Sequence, residues 1–462
     1  MTGLLVAGTT SDAGKSVVTT GLCRALVRRG VRVAPYKAQN MSNNSMVVSS
    51  RGAEGAEIGR AQWIQALAAR VEPEAAMNPV LLKPGSDHRS HVVVMGRPAG
   101  EVSATDWETG RAHLAKAAHA AYDDLAARFE VVVAEGAGSP AEINLRRSDY
   151  VNMGLARHAD LPVVVVGDID RGGVFAAFVG TLALLDEEDA RLLAGWVVNK
   201  FRGSLELLRP GLQELEARTG RPVHGVLPWH PDVWLDSEDA LDLEGRRSGG
   251  GSRRVAVVRL PRISNFTDVD ALGLEPNLDV VFASTPRGLA DADLVVLPGT
   301  RATIADLAWL RERGLDRAVL DHAAAGRPVL GICGGCQMLG RTIADPLGVE
   351  GPPVTVAGLG LLDLATEFTT EKVLRRHEPA GYEIHHGRVA GQLTSGAVTG
   401  TMVHGSFEDD AARAAYLSAT LGVTSRTSFP AARERRLDLL GDLVEEHLDV
   451  DALLRLAREG VA

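Results

Sequence analysis

Two groups of residues in this chain have types and spacings that could do chemistry. Residues 8–16 (GTTSDAGKS) are small and glycine-rich and end in a lysine and a hydroxyl. Residues 331–335 (GICGG) set Cys333 between glycines. The first pattern is typical of a loop that binds nucleotide triphosphates, and the second of a thiol nucleophile on a tight turn. The pair predicts that one site uses ATP to activate a carboxylate while the other liberates ammonia to react with it.

The elements that flank the glycine-rich loop match those of a phosphate-binding site. Leu4 to Ala7 predicts a buried strand, and Val17 to Arg29 has the apolar spacing of a helix. Helix N–H groups would bind the phosphates, Lys15 would neutralise their charge, and the Ser16 hydroxyl would reach magnesium. The alternative is an ordinary glycine turn. The predicted nucleotide-binding residues of the loop are Thr10, Asp12, Ala13, Gly14, Lys15 and Ser16.

Further predicted strands end in polar residues that should lie beside this loop. The run 131–134 is followed by Glu135, the run 161–166 by a glycine-rich loop, and the run 194–198 by Asn199. Ligands of open α/β sheets collect at the carboxyl ends of parallel strands. Glu135 is therefore predicted to join Ser16 at a magnesium site, the alternative being a solvated loop carboxylate. The Asn199 side-chain amide could hydrogen-bond to the edge of an adenine base.

Three segments carry a resemblance to a known family. Residues 37–45 (KAQNMSNNS), 135–145 (EGAGSPAEINL) and 168–175 (DIDRGGVF) resemble the cobyric acid synthases, glutamine-dependent amidases of cobalamin biosynthesis, and the resemblance covers nearly the whole chain. It implies an α/β protein with an N-terminal P-loop, dethiobiotin-synthetase-like parallel-sheet domain that acts as an ATP-dependent amidoligase. A C-terminal class I glutamine amidotransferase-like α/β domain would follow. The resemblance also implies amidation of the b, d, e and g carboxylates of adenosylcobyrinic acid a,c-diamide.

The resemblance implies that ATP and Mg²⁺ are the cofactors and that a corrinoid and glutamine are the small-molecule partners. We expect contacts with the corrinoid, or with an acyl phosphate formed on it, from Asn40, Asn43, Ser45 and Asp149. The nearest alternative is cobyrinic acid a,c-diamide synthase, which shares both domain types, but segments 37–45 and 168–175 favour the first reading. A partitioning-type nucleotide switch fused to a binding domain without chemistry is a second alternative, disfavoured by Cys333 and His404.

The composition of the chain changes character near its middle. Residues 246–254 (RRSGGGSRR) are glycine-rich, charged and without periodicity, which predicts a linker. It would join an amidoligase domain at 1–245 to an amidotransferase domain at 255–462. After it, apolar runs at 255–258, 294–297 and 328–331 alternate with helical stretches, as in the first half. This alternation predicts parallel sheets in both halves.

The second domain needs a base and an oxyanion hole to hydrolyse glutamine. The backbone N–H groups of Gly334 and of Gly299 or its neighbour are candidates for the hole, because residues 298–300 end the strand expected beside the Cys333 strand. The resemblance implies that His404 is the base, with His385 a structural or substrate-lining residue. Many amidotransferases place a glutamate two residues after the histidine, but position 406 is serine. The third member of the triad is therefore left open.

Composition limits the other classes of function. The net charge of -10 over 462 residues argues against a general affinity for nucleic acid or an anionic membrane. No apolar stretch reaches the ~18 residues that would cross a bilayer. The three cysteines, Cys23, Cys333 and Cys336, form no disulfide framework. We therefore expect a cytoplasmic enzyme whose oligomeric state the sequence does not specify.

Overall fold

Two parallel β-sheets organise the chain, as the alternation of apolar strands and helices predicted. The structure is a computed structural model that describes residues 3–50, 53–86, 89–103, 112–233 and 251–461. Each large sheet has six strands among these residues, and each carries one of the predicted sites at its carboxyl edge. The α/β class with two such domains is confirmed.

The first half of the chain builds the first large sheet and two smaller ones. Its strands are β1 (Gly3–Gly8), β2 (Val33–Tyr36), β3 (Gln39–Met41), β4 (Ser45–Ser50), β5 (Ala53–Gly59), β6 (Val80–Ser86), β7 (Arg89–Val94), β8 (Arg97–Ser103), β9 (Val131–Glu135), β10 (Val163–Asp168), β11 (Leu193–Phe201) and β12 (Val223–Pro228). Its helices are α1 (Lys15–Arg28), α2 (Arg60–Ala68), α3 (Ala112–Arg128), α4 (Met153–Ala159), α5 (Val174–Leu184), α6 (Glu187–Leu192) and α7 (Leu205–Thr219).

The first large sheet has the strand order β12-β11-β10-β1-β9-β2, and every pair in it is parallel. Its central strands are apolar on both faces because helices cover both sides. Parallel pairing aligns the strand ends, so Gly8, Glu135, Asp168 and Asn199 come to one edge. This alignment is the reason why residues far apart in the sequence form one site.

The two small sheets of the first half were not expected from the sequence. One has the order β3-β6-β7-β8, and the other is the hairpin β4-β5. The family segment 37–45 runs through β3 into the start of β4. Strand β3 is three residues long and polar in sequence, so it lacks the apolar run that marks a buried strand.

The second half of the chain also contains a large, mostly parallel sheet. Its strands are β13 (Arg253–Val258), β14 (Leu278–Ala283), β15 (Leu294–Leu297), β16 (Val329–Ile332), β17 (Thr342–Asp345), β18 (Val354–Ala357), β19 (Leu364–Arg376), β20 (Tyr382–Gly391), β21 (Thr394–Ser395) and β22 (Val398–Thr401). Its helices are α8 (Pro286–Leu289), α9 (Thr303–Glu312), α10 (Leu315–Ala324), α11 (Gly334–Leu339), α12 (Asp410–Leu421), α13 (Phe429–His447) and α14 (Val450–Glu459). The large sheet has the order β14-β13-β15-β16-β22-β21, parallel except for β21.

The last two helices require a correction of the predicted domain limits. Helices α13 and α14 pack on α1 and the first sheet, where Leu437, Val444 and Leu453 share a core with Leu22 and Leu26. A Cβ added to Gly21 of α1 would lie 2.5 Å from Val444, so the two helices approach closely. The amidotransferase domain predicted at 255–462 therefore includes a C-terminal part that completes the other domain.

The predicted linker lies partly outside the described residues. Position 245, the predicted end of the first domain, and residues 246–250 belong to the undescribed stretch 234–250. Strand β13 begins at Arg253, so the last two residues assigned to the linker, Arg253 and Arg254, are part of a strand. Within the described part of the chain, the helices are too short or too polar to cross a membrane.

Candidate active sites

The glycine-rich loop leaves β1 and turns directly into α1. Gly14 has a φ of 99°, and a Cβ there would lie 1.9 Å from Asn199 Nδ2, so only glycine fits. Because Gly14 caps the helix, α1 begins at Lys15, two residues before the predicted start at Val17. The N–H groups of the first helical turn, which have no partner within the helix, therefore lie at the loop.

Lys15 is held across the loop. Its ammonium group donates to the carbonyl oxygens of Thr10 at 2.9 Å, Ser11 at 3.0 Å and Gly138 at 3.3 Å. Of the predicted nucleotide-binding residues, Asp12, Gly14, Lys15 and Ser16 line a cavity of about 900 Å³. A bound phosphate would compete with the three carbonyls for the Lys15 ammonium group.

Asn199 contacts the loop through its side chain, and Ala13 takes part through its backbone carbonyl. Asn199 Nδ2 donates to the carbonyl oxygen of Ala13 at 2.9 Å, and the side chain is buried. Asp12 faces solvent, where its carboxylate pairs with Arg171 at 3.2 Å. Because Asn199 bonds to Ala13, its side chain supports the loop. The expected contact of Asn199 with adenine stays a prediction.

Glu135 is buried at the end of β9, so it is not a solvated loop carboxylate. It accepts hydrogen bonds from Ser16 Oγ at 2.9 Å, Lys37 Nζ at 2.9 Å and the Gln65 side-chain amide. Burial opposes ionisation, but the adjacent Lys37 ammonium and its hydrogen bond lower the pKa of Glu135 below its ordinary value. Glu135 is thus a carboxylate at the floor of the phosphate site.

The oxygens of Ser16 and Glu135 suit magnesium. They lie 2.9 Å apart at the cavity, and hydroxyl and carboxylate oxygens are the ligands that Mg²⁺ prefers. Among the described residues, no group of three or more His, Cys, Asp or Glu side chains is arranged to hold a metal ion. Magnesium commonly binds through one or two protein oxygens with phosphates and waters completing the shell, so this pair is compatible with it.

Two of the predicted substrate residues lie at the large cavity. Asn40 and Asn43 line it together with the phosphate loop. Asn40 donates to Gln62 Oε1 at 3.0 Å, and Asn43 donates to the Pro84 carbonyl oxygen at 3.3 Å. Asn43 Oδ1 is buried without a hydrogen-bond partner in the described structure, so it is an acceptor that a ligand could use.

The other two predicted substrate residues have different surroundings. Ser45 is fully buried, and its hydroxyl donates to Glu57 Oε1 at 2.9 Å. The Asp149 carboxylate accepts hydrogen bonds from three backbone N–H groups at the start of α4, at 2.8–3.0 Å. These bonds hold the loop that leads into α4, whose N-cap residue is Asn152. The expected contact of Asp149 with the substrate stays a prediction.

Cys333 occupies a strained turn between β16 and α11. Its φ of 49° and ψ of -107° are unusual for a residue with a side chain. Glycines make the turn possible: a Cβ on Gly331 would lie 2.5 Å from Leu339, and one on Gly335 would lie 2.0 Å from the Leu297 carbonyl oxygen. The turn has the geometry that the spacing of the glycines predicted for a nucleophile turn.

The other two cysteines are interior. Cys23 and Cys336 are both fully buried, and all three cysteines are free thiols. Burial raises the pKa of Cys336 to about 12, which suppresses its thiolate. Cys333 lies at the strained turn, whereas Cys336 lies within α11. The role of Cys333 as the nucleophile stays a prediction.

His404 completes the site with an aspartate that the sequence did not reveal. His404 Nδ1 lies 2.7 Å from Asp268 Oδ2, and the other oxygen of Asp268 accepts the Gly405 N–H at 2.8 Å. Asp268 lies in the short helical turn Phe266–Val269 after β13. It occupies the position of the acidic triad member, which the sequence did not identify because residue 406 is a serine.

The electrostatic surroundings of His404 favour its charged form. Burial opposes the charge, but Asp268 and the Cys333 sulfur, which also hydrogen-bonds to the ring, raise the pKa of His404 to about 10. A histidine held between a carboxylate and a thiol can stabilise the thiolate. The arrangement is that of a cysteine nucleophile with a histidine base and an orienting acid.

The candidate oxyanion hole lies beside Cys333. Strands β15 and β16 are paired, as predicted, so residues 298–300 adjoin the nucleophile turn. A Cβ on Gly334 would lie 3.1 Å from the Thr300 backbone nitrogen, and one on Gly299 would lie 2.9 Å from His404 Cε1. Gly334 therefore approaches the backbone of Thr300, and Gly299 approaches the His404 ring, more closely than a residue with a side chain could. The oxyanion hole itself stays a prediction.

His385 lies near the same centre with both ring nitrogens engaged. Nε2 lies 2.8 Å from Glu383 Oε2, and Nδ1 lies 2.8 Å from the Gly387 carbonyl oxygen. Neither nitrogen is aimed at the sulfur, although the residue lines a small cavity with Cys333 and His404. This geometry agrees with the structural or lining role expected for His385.

Comparisons with known proteins agree with the two-site geometry. Residues 4–242 match the family model of the CobQ/CobB/MinD/ParA nucleotide binding domain, and residues 254–413 match that of the CobB/CobQ-like glutamine amidotransferase domain. The chain is 72% identical to a cobyric acid synthase of Mycolicibacterium vanbaalenii, with 99% of this chain and 97% of that protein covered. It is 71% identical to a cobyric acid synthase of Mycobacterium ulcerans, with 100% and 98% covered.

Identity at this level extends over both sites and over the C-terminal helices that join the domains. A cobyric acid synthase of Mycobacterium tuberculosis gives the same result, with 72% identity over 100% of this chain and 97% of the relative. The combination of a nucleotide-binding domain and a glutamine amidotransferase domain defines a glutamine-dependent amidoligase. The chain belongs to the cobyric acid synthase family of cobalamin biosynthesis.

Proposed function

We propose that this enzyme uses ATP, Mg²⁺ and glutamine to amidate the b, d, e and g carboxylates of adenosylcobyrinic acid a,c-diamide, giving adenosylcobyric acid. The observation that carries the proposal is the adjacency of the two sites. Consecutive residues of one segment line different cavities: Ile263 lines the large cavity with the phosphate loop, and Ser264 lines the small cavity with Cys333. Ammonia released in the small cavity is therefore close to the place where a carboxylate would be activated.

In the glutaminase half-reaction, the Cys333 thiolate attacks the side-chain amide carbon of glutamine. The backbone N–H groups near Gly299 and Gly334 stabilise the oxyanion, and His404 gives its proton to the departing nitrogen. The C–N bond breaks, ammonia leaves, and a thioester remains. Water activated by His404 then hydrolyses the thioester, which releases glutamate and restores the thiol. Asp268 holds the imidazole in position throughout.

In the ligase half-reaction, a carboxylate oxygen of the corrinoid attacks the γ-phosphorus of ATP, giving an acyl phosphate and ADP. Lys15 and the N–H groups of the loop offset the charge on the phosphates. Ser16 and Glu135 would hold the magnesium ion, which when bound neutralises phosphate charge. Ammonia attacks the acyl carbon, phosphate leaves, and the nitrogen loses a proton to give the amide. Asn40 and Asn43 contact the substrate from the wall of the large cavity.

Product analysis tests the proposal directly. Adenosylcobyrinic acid a,c-diamide, ATP, Mg²⁺ and glutamine are incubated with the enzyme, and mass spectrometry counts the amide groups added. We expect four additions, with ADP, phosphate and glutamate formed alongside. No addition to this substrate, with two additions to cobyrinic acid incubated in parallel, would support a cobyrinic acid a,c-diamide synthase instead. ATP turnover with no amide product would support a nucleotide switch.

A further inference from the structure

The small cavity holds charged side chains to which the proposed glutaminase steps give no role. Three of them are cations and one is a carboxylate, and they come from both domains. Besides the thiol and the histidines, the charged residues that line the cavity are Lys83, Arg301, Glu350 and Lys372. Because the thiol lies in the same cavity, a small molecule that brings an amide to the sulfur must also meet these charges.

The two lysines already have a protein counter-charge. Glu57 of β5 is fully buried, and each of its carboxylate oxygens pairs with one lysine, Lys83 from β6 and Lys372 from β19. Burial opposes ionisation of Glu57, but the charges of Lys372 and Lys83 lower its pKa below the ordinary value. The lysines therefore belong to a buried ion cluster between the domains, and drawing one of them onto a ligand would leave Glu57 underpaired.

Arg301 lies directly beside the nucleophile turn. It follows Thr300, whose backbone nitrogen would lie 3.1 Å from a Cβ placed on Gly334. Its charge acts within the cavity, since burial, followed by the charges of Lys372 and Arg301, lowers the pKa of His386 to about 4. A guanidinium group presents parallel N–H donors that bind both oxygens of a carboxylate. Arg301 therefore suits a carboxylate on a ligand whose other end reaches the thiol.

Glu350 brings the opposite charge into the same cavity. One of its oxygens accepts the Ile304 N–H at 3.1 Å, at the start of α9. Burial raises the pKa of Glu350, and hydrogen bonds from Thr303 and Ile304 and the charge of Arg301 oppose that rise. A carboxylate has about four acceptor positions, so Glu350 can also accept hydrogen bonds from an ammonium group. Such a cation would in turn favour the ionised form of Glu350.

A pair of opposite charges beside a thiol matches the backbone end of a free amino acid. Glutamine carries an α-carboxylate and an α-ammonium group on the carbon that lies two methylene groups from its side-chain amide. Under the proposed function, the corrinoid product carries primary amides as well. The amide alone therefore does not distinguish glutamine from the product, whereas the two α-groups do.

We propose that Arg301 binds the α-carboxylate of glutamine and that Glu350 binds its α-ammonium group, so that the thiol site selects the amide of a free amino acid over other primary amides. This inference rests on the proposed function, in which Cys333 hydrolyses glutamine, and adds the residues that determine the specificity of that step. Recognition of this kind is strong because each contact joins two charged groups.

Arg301→Met tests the carboxylate contact, because methionine keeps much of the length of arginine and removes its charge. The substrates are glutamine and 4-aminobutanamide, which is glutamine without the α-carboxylate, and the measured quantity is kcat/KM for ammonia release. We expect the variant to lose about 10- to 100-fold with glutamine and to change little with 4-aminobutanamide, since hydrogen bonds to charged groups have effects of this size. Arg317→Met is the matched control, because Arg317 is an exposed arginine of α10.

Glu350→Gln tests the ammonium contact with the complementary substrate. Glutaramate keeps the carboxylate and the amide of glutamine but has no α-ammonium group. The variant should lose about 10- to 100-fold in kcat/KM with glutamine and change little with glutaramate. A Glu350 that only supports the start of α9 would instead give equal losses with both amides. Glu312→Gln, at an exposed position at the end of α9, is the matched control.

Two further measurements distinguish recognition from damage to the site. Iodoacetamide carries neither α-group, so it should alkylate Cys333 at a similar rate in the wild type, Arg301→Met and Glu350→Gln. Lys372→Met should lower kcat/KM for all three amides alike, because it leaves Glu57 underpaired. Equal losses with all three amides in Arg301→Met, or a loss specific to the carboxylate in Lys372→Met alone, would overturn the assignment of Arg301. A wild-type enzyme that releases no ammonia from glutamine would instead refute the proposed function.

Discussion

The two candidate sites differ in how much of their chemistry is already assembled. At the thiol site, a strained turn presents Cys333, and His404 lies between its sulfur and Asp268 in a cavity of about 50 Å³. At the phosphate site, Lys15 is bonded to backbone carbonyls, and Glu135 is bonded to Ser16, Lys37 and Gln65 beside a cavity of about 900 Å³. At the thiol site the reactive side chains contact each other. At the phosphate site the charged side chains of Lys15 and Glu135 are bonded to other protein groups, which a bound ligand would replace.

The two sites therefore differ in when the partner of a charged group is supplied. In the proposed mechanism the thiol site needs a thiolate before glutamine reacts, and His404 and Asp268 would supply the stabilising imidazole and carboxylate. The phosphate site meets a highly charged ligand, and its cations need partners only until that ligand arrives. Substitutions at the thiol site should therefore affect one half-reaction, while substitutions at the phosphate site should affect synthesis from any nitrogen source.

The largest effect is expected for Cys333→Ser. A serine hydroxyl is much harder to ionise than a thiol, so glutamine-dependent amidation should fall by about 10⁴-fold or more. Synthesis from ammonium salt should remain largely intact, because the phosphate site belongs to the other domain. Amide formation is measured with each nitrogen source separately. Loss of both activities in a folded variant would contradict the separation of the two sites.

Lys15→Ala should reduce synthesis from both nitrogen sources. The substitution removes the positive charge that offsets phosphate charge during transfer, and we expect a loss of about 10³-fold. Glutamine hydrolysis measured alone is the control, because Cys333 and His404 are unaffected. Near-normal synthesis with ammonium salt would refute the assignment of Lys15.

Asp268→Asn should weaken glutamine hydrolysis and shift its pH profile. Removing the negative charge lowers the pKa of His404, so the imidazolium that stabilises the thiolate is lost at a lower pH. The alkaline limb of the glutaminase profile should move to lower pH, and turnover should drop by about 10²-fold. The matched control is Asp279→Asn on β14, a residue of the same domain, which should change neither quantity. An unshifted alkaline limb would leave Asp268 with only a structural role.

Glu135→Gln should have a moderate effect confined to the ligase half-reaction. Glutamine keeps the shape of the side chain but removes the negative charge that would help to hold magnesium. We expect a higher magnesium requirement and about tenfold lower turnover. The measurement is a magnesium titration of ammonium-dependent synthesis in both enzymes. Superimposable titrations would exclude Glu135 as a ligand.

The smallest effect is expected for His385→Ala. Both ring nitrogens already face Glu383 and the Gly387 carbonyl oxygen, so neither is available to act as the base. Glutamine-dependent activity should fall only a few-fold, whereas His404→Ala should lose it as Cys333→Ser does. Parallel glutaminase assays compare the two variants. The reverse order of effects would show that the base was wrongly chosen.

Several features of the fold could be read from local sequence. The apolar runs at 4–7, 131–134 and 255–258 became central strands, because parallel strands buried on both faces require apolar residues throughout. The small sheets that contain β3 and β4 were missed, and β3 in particular is a three-residue, mostly polar strand without the apolar run that marks a buried strand. The role of α13 and α14 was also missed, because an amphipathic helix does not specify which domain its apolar face will cover.

The sequence by itself determined the two motifs and therefore the two kinds of chemistry. A loop that needs φ of 99° at Gly14, and a turn with no room for a side chain at Gly331 and Gly335, restrict residue types within a few positions. Such restrictions are visible in a single sequence because the residues that impose them are neighbours in the chain.

Only the tertiary structure decided how the motifs are completed. Asp268 is 136 residues from His404, and the Asp149 carboxylate binds backbone N–H groups in the segment that leads into α4. The pairing of Glu57 with Lys83 and Lys372 unites three separate strands from two domains. These contacts form only because particular helices and strands pack together. Such packing does not restrict the residue types on either side of Asp268, Asp149 or Lys83, so the sequence near these residues gives no sign of it.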